Sequence, residues 1–71
     1  MKYDADKLAL AVITKRRHEN HMSMDEVAVE IGVSKGTVHR AELQKGLSEQ
    51  SFLKICAWLG KEPGAYQIET V

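Results

Sequence analysis

The chain has 71 residues and is poor in several things at once: it holds one cysteine, Cys56, and one proline, Pro63. A lone cysteine excludes an intrachain disulfide, and its ordinary role is a small core hydrophobe. Nothing covalent therefore braces a chain of this length, which buries only about 60% of its unfolded surface. No apolar stretch approaches the roughly 18 residues of a membrane-spanning helix, and no charged-then-apolar leader opens the chain. The expectation is one cytoplasmic domain covering 1–71, with a core at 5–66, a short tail at 67–71 and no membrane contact.

An excess of charge of one sign is missing as well. Ten basic and ten acidic residues give zero formal net charge. A nucleic-acid-binding domain is usually basic, so bulk composition counts against that class and any such patch must be local. Compact ligand spacings are missing too: His18, His21, His39 and Cys56 form neither a CxxC pair nor an HExxH motif, so no metal is expected. No nucleophile elbow or glycine-rich phosphate loop occurs, so no enzyme activity, cofactor or small-molecule ligand is expected.

Helix-start signals are abundant. Ser23 followed by Glu26 is a capping box, with Met22 and Val27 as a hydrophobic staple. Ser34 carries the staple pair Val33 and Val38, and Ser48 the pair Leu47 and Phe52. Asp4 or Asp6 opens the first helix. These signals predict helices over about 5–18, 24–31, 35–43 and 49–59, the second and fourth stopped by Gly32 and Gly60. Pro63 opens a last turn to Tyr66. The tail from Gln67 is either a frayed end or a short pairing strand. The expected buried stripes are Leu10, Ile13 and Arg17; then Val27, Ala28 and Ile31; then Val38 and Ala41; then Phe52, Ile55, Cys56 and Leu59. No segment alternates long enough to build a sheet. The expected class is all-α, a compact bundle of four to five helices.

Two short helices joined by Gly32-Val33-Ser34 match a helix-turn-helix. Gly32 supplies the left-handed backbone of the turn, and Val33 plugs the core. With Val38 at the centre of the buried face of 35–43, Gly36, Arg40, Leu43 and Gln44 point outward, flanked by Thr37 and His39. Arg40 is the leading base reader, because arginine pairs bidentately with guanine in the major groove. Lys35, Thr37, His39 and Lys45 are candidate contacts to phosphate or base edges. The run Lys15-Arg16-Arg17-His18 also complements the end of the first helix without any partner.

The stretches "RRHENHMSMDEVAVEIGVSKGTVHRAE" and "FLKICAWLGKEPGAY" resemble the lambda-repressor/Cro-type (XRE-like) helix-turn-helix family, over residues 8–60 and loosely to Tyr66. The resemblance implies a lambda-repressor-like bundle that binds double-stranded DNA, usually as a homodimer on a palindromic operator. It implies a transcriptional regulator, a repressor or Cro-like switch of phage or plasmid type. It places Ala28 at the small helix-2 position, Gly32 at the turn, Ser34 at the cap of the recognition helix, and Arg17 with Glu42 as a structural ion pair. Ser34 and Gly36 are counted among the DNA-facing residues, Gly36 for close backbone approach. Met24 stands where members commonly carry a phosphate-contacting glutamine, although the amides there still suit an anion. Gln44 replaces a common glycine, with Gly46 two residues on. Trp58 is expected to pack on the last turn near Tyr66 or else to anchor a dimer; Trp58, Tyr66, Ile68 and Val71 are the candidate dimer residues, tryptophan being an interface anchor. Neutral charge, Met24, Gly36 and an outward Leu43 keep open the alternative of a protein-interaction module, such as an antitoxin or anti-regulator.

Overall fold

Each of the four helices begins where a short polar side chain can replace a missing intrahelical acceptor. The computed structural model describes residues 3–67. Asp4 caps helix α1 (Ala5–Ile13), its carboxylate accepting from the Lys7 amide at 3.0 Å. Ser23 caps α2 (Met24–Ile31) in a reciprocal box with Glu26, the two bonds measuring 3.2 and 3.1 Å. Ser34 caps α3 (Lys35–Glu42) and Ser48 caps α4 (Glu49–Leu59). Gly32 and Gly60 end α2 and α4 at φ 90° and 71°, a region where a Cβ is strained. A 3-10 turn, Pro63–Ala65, follows. Among the described residues there is no strand; Tyr3 and Gln67 form one isolated antiparallel bridge. No helix there is long and apolar enough to cross a membrane.

The core is a single cluster. Phe52, Leu8, Ile55, Val12, Val27, Val38 and Cys56 are all essentially sealed from solvent, joined by Ala28, Ala41 and Tyr66. Phe52 is its largest fully buried side chain, with the Tyr3 ring centre 4.9 Å away. The small Ala28 and Ala41 let α2 and α3 pack closely, and α3 also packs on α1.

The first helix departs from the expected pattern. It is α-helical only to Ile13 and continues as a π-helical segment, Thr14–Glu19. There the Asn20 amide bonds the Lys15 carbonyl five residues back, at 3.0 Å. Its buried face is Leu8, Ala9 and Val12, not Leu10, Ile13 and Arg17; Leu10 is 66% exposed and Arg17 is exposed. The run Leu8-Ala9-Leu10-Ala11-Val12-Ile13 is apolar all round, so periodicity alone leaves the helix phase open. Tertiary packing against Phe52 and Val38 chooses it.

Three smaller differences concern the ends. Leu43 is the C-cap of α3 rather than its last residue. Tyr66 is buried, its carbonyl accepting from the Asp4 amide at 2.5 Å, so its ring belongs to the core and not to a dimer surface. Trp58 does not turn towards Tyr66: its indole N–H donates to Glu30 at 3.0 Å, and the Lys15 ammonium lies 4.7 Å from its ring. Ile68 and Val71 lie outside the described residues.

Candidate nucleic-acid interface

Helix α3 is held at three points. Its start is set by Ser34, whose hydroxyl accepts from the Thr37 amide at 3.2 Å and shares a 3.0 Å hydrogen bond with the Thr37 hydroxyl. Its inner edge is Val38 and Ala41, three residues apart and buried. Its end is fixed by an ion pair with the π-helical segment. The partner of Glu42 is Arg16, not Arg17. Arg16 Nε meets Glu42 Oε2 at 2.5 Å and a second guanidinium nitrogen meets Oε1 at 2.7 Å. A third bond, 3.3 Å long, reaches the Met22 carbonyl. The one-residue shift has the same cause as the shifted stripe: Arg16 follows Ala9 and Val12 on the buried face, while Arg17 follows Leu10 and Ile13.

The pair is nearly enclosed, with side chains 12% and 7% exposed. Such a bidentate pair fixes geometry more than it adds stability. The Glu42 carboxylate holds the Arg16 guanidinium above its ordinary pKa, so the cation is permanent. One arginine thereby joins the end of the first helix, the entry to α2 and the end of α3.

The pairing shapes the electrostatics of α3. Between Lys35 and Lys45 the only carboxylate is Glu42, and Arg16 neutralises it. What remains on this segment is Lys35, His39, Arg40 and Lys45, all exposed. Lys35 has a neighbour, the Asp25 carboxylate of α2, at 3.6 Å. Arg40 and His39 have no side-chain partner among the described residues, and both side chains leave the helix on its outer surface. Gly36 is exposed in the first turn of α3, with nothing but the Ser34 hydroxyl within 4 Å of where a Cβ would stand.

Other expected contacts are placed less favourably. Met24 is half-buried and packs against the core. The start of α2 is closed by the Ser23–Glu26 box and carries two carboxylates, Asp25 and Glu26. Thr37 is half-buried, with its hydroxyl already bonded to Ser34.

The turn after α3 keeps the left-handed geometry that glycine would favour, but at Gln44, where φ is 62°. The Lys45 amide closes on the Arg40 carbonyl at 2.9 Å, and the Gln44 side chain donates to Asp6 at 2.9 Å. Gly46 needs no such backbone. The Tyr3 hydroxyl donates to the Lys45 carbonyl at 3.3 Å. Neither the Gln44–Asp6 nor the Tyr3–Lys45 contact was legible beforehand, because each joins residues far apart in sequence.

Among the described residues no three His, Cys, Asp or Glu side chains gather to hold a metal ion. Cys56 is buried, and burial pushes its thiol pKa up, away from the reactive thiolate. No family model, curated protein or solved structure matches this chain.

Proposed function

We propose that the chain is a sequence-specific DNA-binding regulator whose α2–turn–α3 unit acts as a helix-turn-helix, with α3 in the major groove. The observation that carries this reading is the division of α3. Val38 and Ala41 are buried, Glu42 is tied to Arg16, and the remaining outer surface presents Arg40 and His39 between Lys35 and Lys45. A rigid helix offering fork-shaped and point-charge donors fits base edges and flanking phosphates. Arg40 reads a base, most simply guanine, while Lys35 and Lys45 hold phosphates. Ser34 and Gly36 let the backbone at the start of α3 come close to the duplex, and Thr37 supports that turn through Ser34. Met24 contributes packing under α2 rather than a polar contact.

A two-fold pair of such units would read half-sites one helical turn apart in a palindromic operator. Trp58 is the candidate dimer residue that keeps an exposed edge, since Tyr66 is buried. Repression by occupying an operator is the simplest outcome for a domain of this size, as in a Cro-like switch.

A protein-interaction module is favoured instead by the two ends of α3: Leu43 at its C-cap is 52% exposed, and Lys35 at its start already faces Asp25. Selection of bound sequences from a random duplex pool separates the two readings. An enriched, two-fold symmetric motif that Arg40→Ala blurs supports DNA recognition. Indifference to heparin and random DNA at low salt supports the module.

A further inference from the structure

Away from α3, the face between α1 and the end of α4 carries an open groove of about 340 Å³. None of its lining comes from α2 or α3. The floor is apolar: Leu10, Ala11, Leu59 and the side of Tyr66. Leu10 is two-thirds exposed there, on the most apolar helix of the chain. The rim is basic, with Lys7, Lys15 and Lys61 facing a single carboxylate, Glu19.

Two of these lysines are positioned by neutral groups. Lys7 donates to the Ala65 carbonyl at 3.2 Å and lies 5.8 Å from the Tyr66 ring centre. Lys15 donates to the Trp58 carbonyl and lies over the Trp58 ring. Carbonyls and aromatic faces orient an ammonium without cancelling its charge. None of the three lysines forms an ion pair with a carboxylate among the described residues.

We propose that this groove is a docking site for an acidic, amphipathic segment of a partner protein. Leu10 and Leu59 take the apolar side chains of the segment, and Lys7, Lys15 and Lys61 take its carboxylates. The site does not depend on the reading of α3 and leaves that helix free. A nucleic-acid backbone fits poorly, because a phosphate–sugar chain has nothing apolar to cover Leu10. A second copy of this chain also fits poorly. Among the described helices only α2 is acidic, and its three carboxylates already have partners: Asp25 beside Lys35, Glu26 in the capping box with Ser23, and Glu30 bonded to Trp58. Matching an apolar floor and a charged rim gives both anchoring and choice of partner.

The test is amide chemical-shift mapping of the full chain with two synthetic peptides of about 15 residues, roughly four helical turns. Both carry leucine at i, i+3, i+4 and i+7. One is flanked by glutamates, the other by lysines. The expected result is salt-sensitive binding of the acidic peptide, with shifts centred on Leu10, Ala11, Thr14, Leu59 and Lys61. Leu10→Asp and Lys61→Glu, both at exposed positions, should each weaken binding about tenfold, about 1.4 kcal/mol. Circular dichroism of the variants checks that the fold is kept. No binding, equal binding of the lysine peptide, or shifts centred on α2 and α3 overturn the proposal. So do groove shifts produced by a random DNA duplex, or by raising the protein concentration alone, which would assign the face to DNA or to a second copy. The peptide arms need no DNA, so their failure is separate from any failure of the α3 reading.

Discussion

The two basic faces of this neutral chain differ in what lies beneath the charge. Within α3 the cations stand on a helix surface whose apolar residues, Val38 and Ala41, point inward, and the one exposed apolar side chain is Leu43 at its C-cap. Between α1 and α4 they surround exposed leucine and a tyrosine edge. The first arrangement suits a hydrated polyanion, which rewards charge and punishes apolar surface. The second suits a ligand that brings carboxylates and apolar side chains together. Net charge conceals the distinction. It also conceals the step that makes α3 basic, the removal of Glu42 by Arg16.

The largest effect should come from breaking that step. Arg16→Ala leaves the Glu42 carboxylate nearly buried without its partner, which costs about 3–5 kcal/mol. A domain of this size has about 4–10 kcal/mol in all, so urea unfolding should show a large loss of midpoint. Arg17→Ala should change stability by less than about 0.5 kcal/mol, since Arg17 is exposed. Replacing both partners, Arg16→Met with Glu42→Leu, should cost much less than Arg16→Ala, and a double-mutant cycle measures the difference. Equal losses for Arg16→Ala and Arg17→Ala would contradict the pairing.

Arg40→Ala tests the outer half of the same helix. It should cost about 1–3 kcal/mol in discrimination between the selected DNA sequence and random DNA. The unfolding midpoint should hardly move, because the side chain is exposed. Competition binding at fixed salt measures the first effect and thermal unfolding the second. Loss of fold without loss of specificity would reverse the roles assigned to Arg40 and Arg16.

Local grammar was legible in the sequence, and the phase of an all-apolar helix was not. The bounds of α2 and α4 follow from Ser23, Gly32, Ser48 and Gly60, because caps and left-handed glycines act within four residues. Helix α1 lacks that contrast. With apolar residues on every side of 8–13, its orientation is settled by distant Phe52 and Val38. The π-helical turn then carries Arg16 onto the buried face. A single misjudged phase thus moved both the stripe and the arginine of the ion pair. The surroundings of Trp58 and Tyr66 escape the local pattern for a related reason, since their partners, Glu30 and Asp4, are remote in sequence. The outward set on α3 needed no such information, because Val38 and Ala41 are its only core-facing residues.

Alkaline pH should weaken the core under both faces. Burial holds Cys56, Tyr3 and Tyr66 in their neutral forms, with pKa values above their ordinary 9 and 10. Their folded pKa values exceed the unfolded ones, so this stabilisation is complete below about pH 9 and is lost as pH rises through the folded values. Stability measured in urea should therefore fall above about pH 9. Cys56→Ala should reduce that slope, though it lowers stability at pH 7 by leaving a small cavity. A thiol reagent at pH 8 should label the wild-type protein only at the rate of unfolding.

Gln44→Gly removes a side chain from left-handed backbone, where a non-glycine residue costs about 1–2 kcal/mol. It also removes the hydrogen bond to Asp6, worth about 0.5–1.5 kcal/mol, and frees the unfolded chain. The net change should lie within about 1 kcal/mol of zero. Gln44→Ala, which loses the bond and keeps the backbone strain, should be the less stable of the two. Thermal unfolding of the pair separates backbone strain from the tie between α1 and α3.

The smallest effect distinguishes charge on α3 from charge elsewhere. Asp25 lies 3.6 Å from Lys35, and both side chains are well exposed. Such a surface pair adds about 0–1 kcal/mol, so its removal should barely disturb the fold. Asp25 also favours the start of α2 through the helix dipole, worth about 0.3–1 kcal/mol. If α3 binds DNA as proposed, Asp25→Asn should therefore lower stability slightly while strengthening binding to random DNA a few-fold, since it frees Lys35 and removes a negative charge from the proposed interface. The gain should fade as salt rises, because it is screened. The same substitution should leave the acidic peptide's affinity for the α1–α4 groove unchanged. If peptide binding rises in step with DNA binding, the two faces act as one continuous field rather than as two sites.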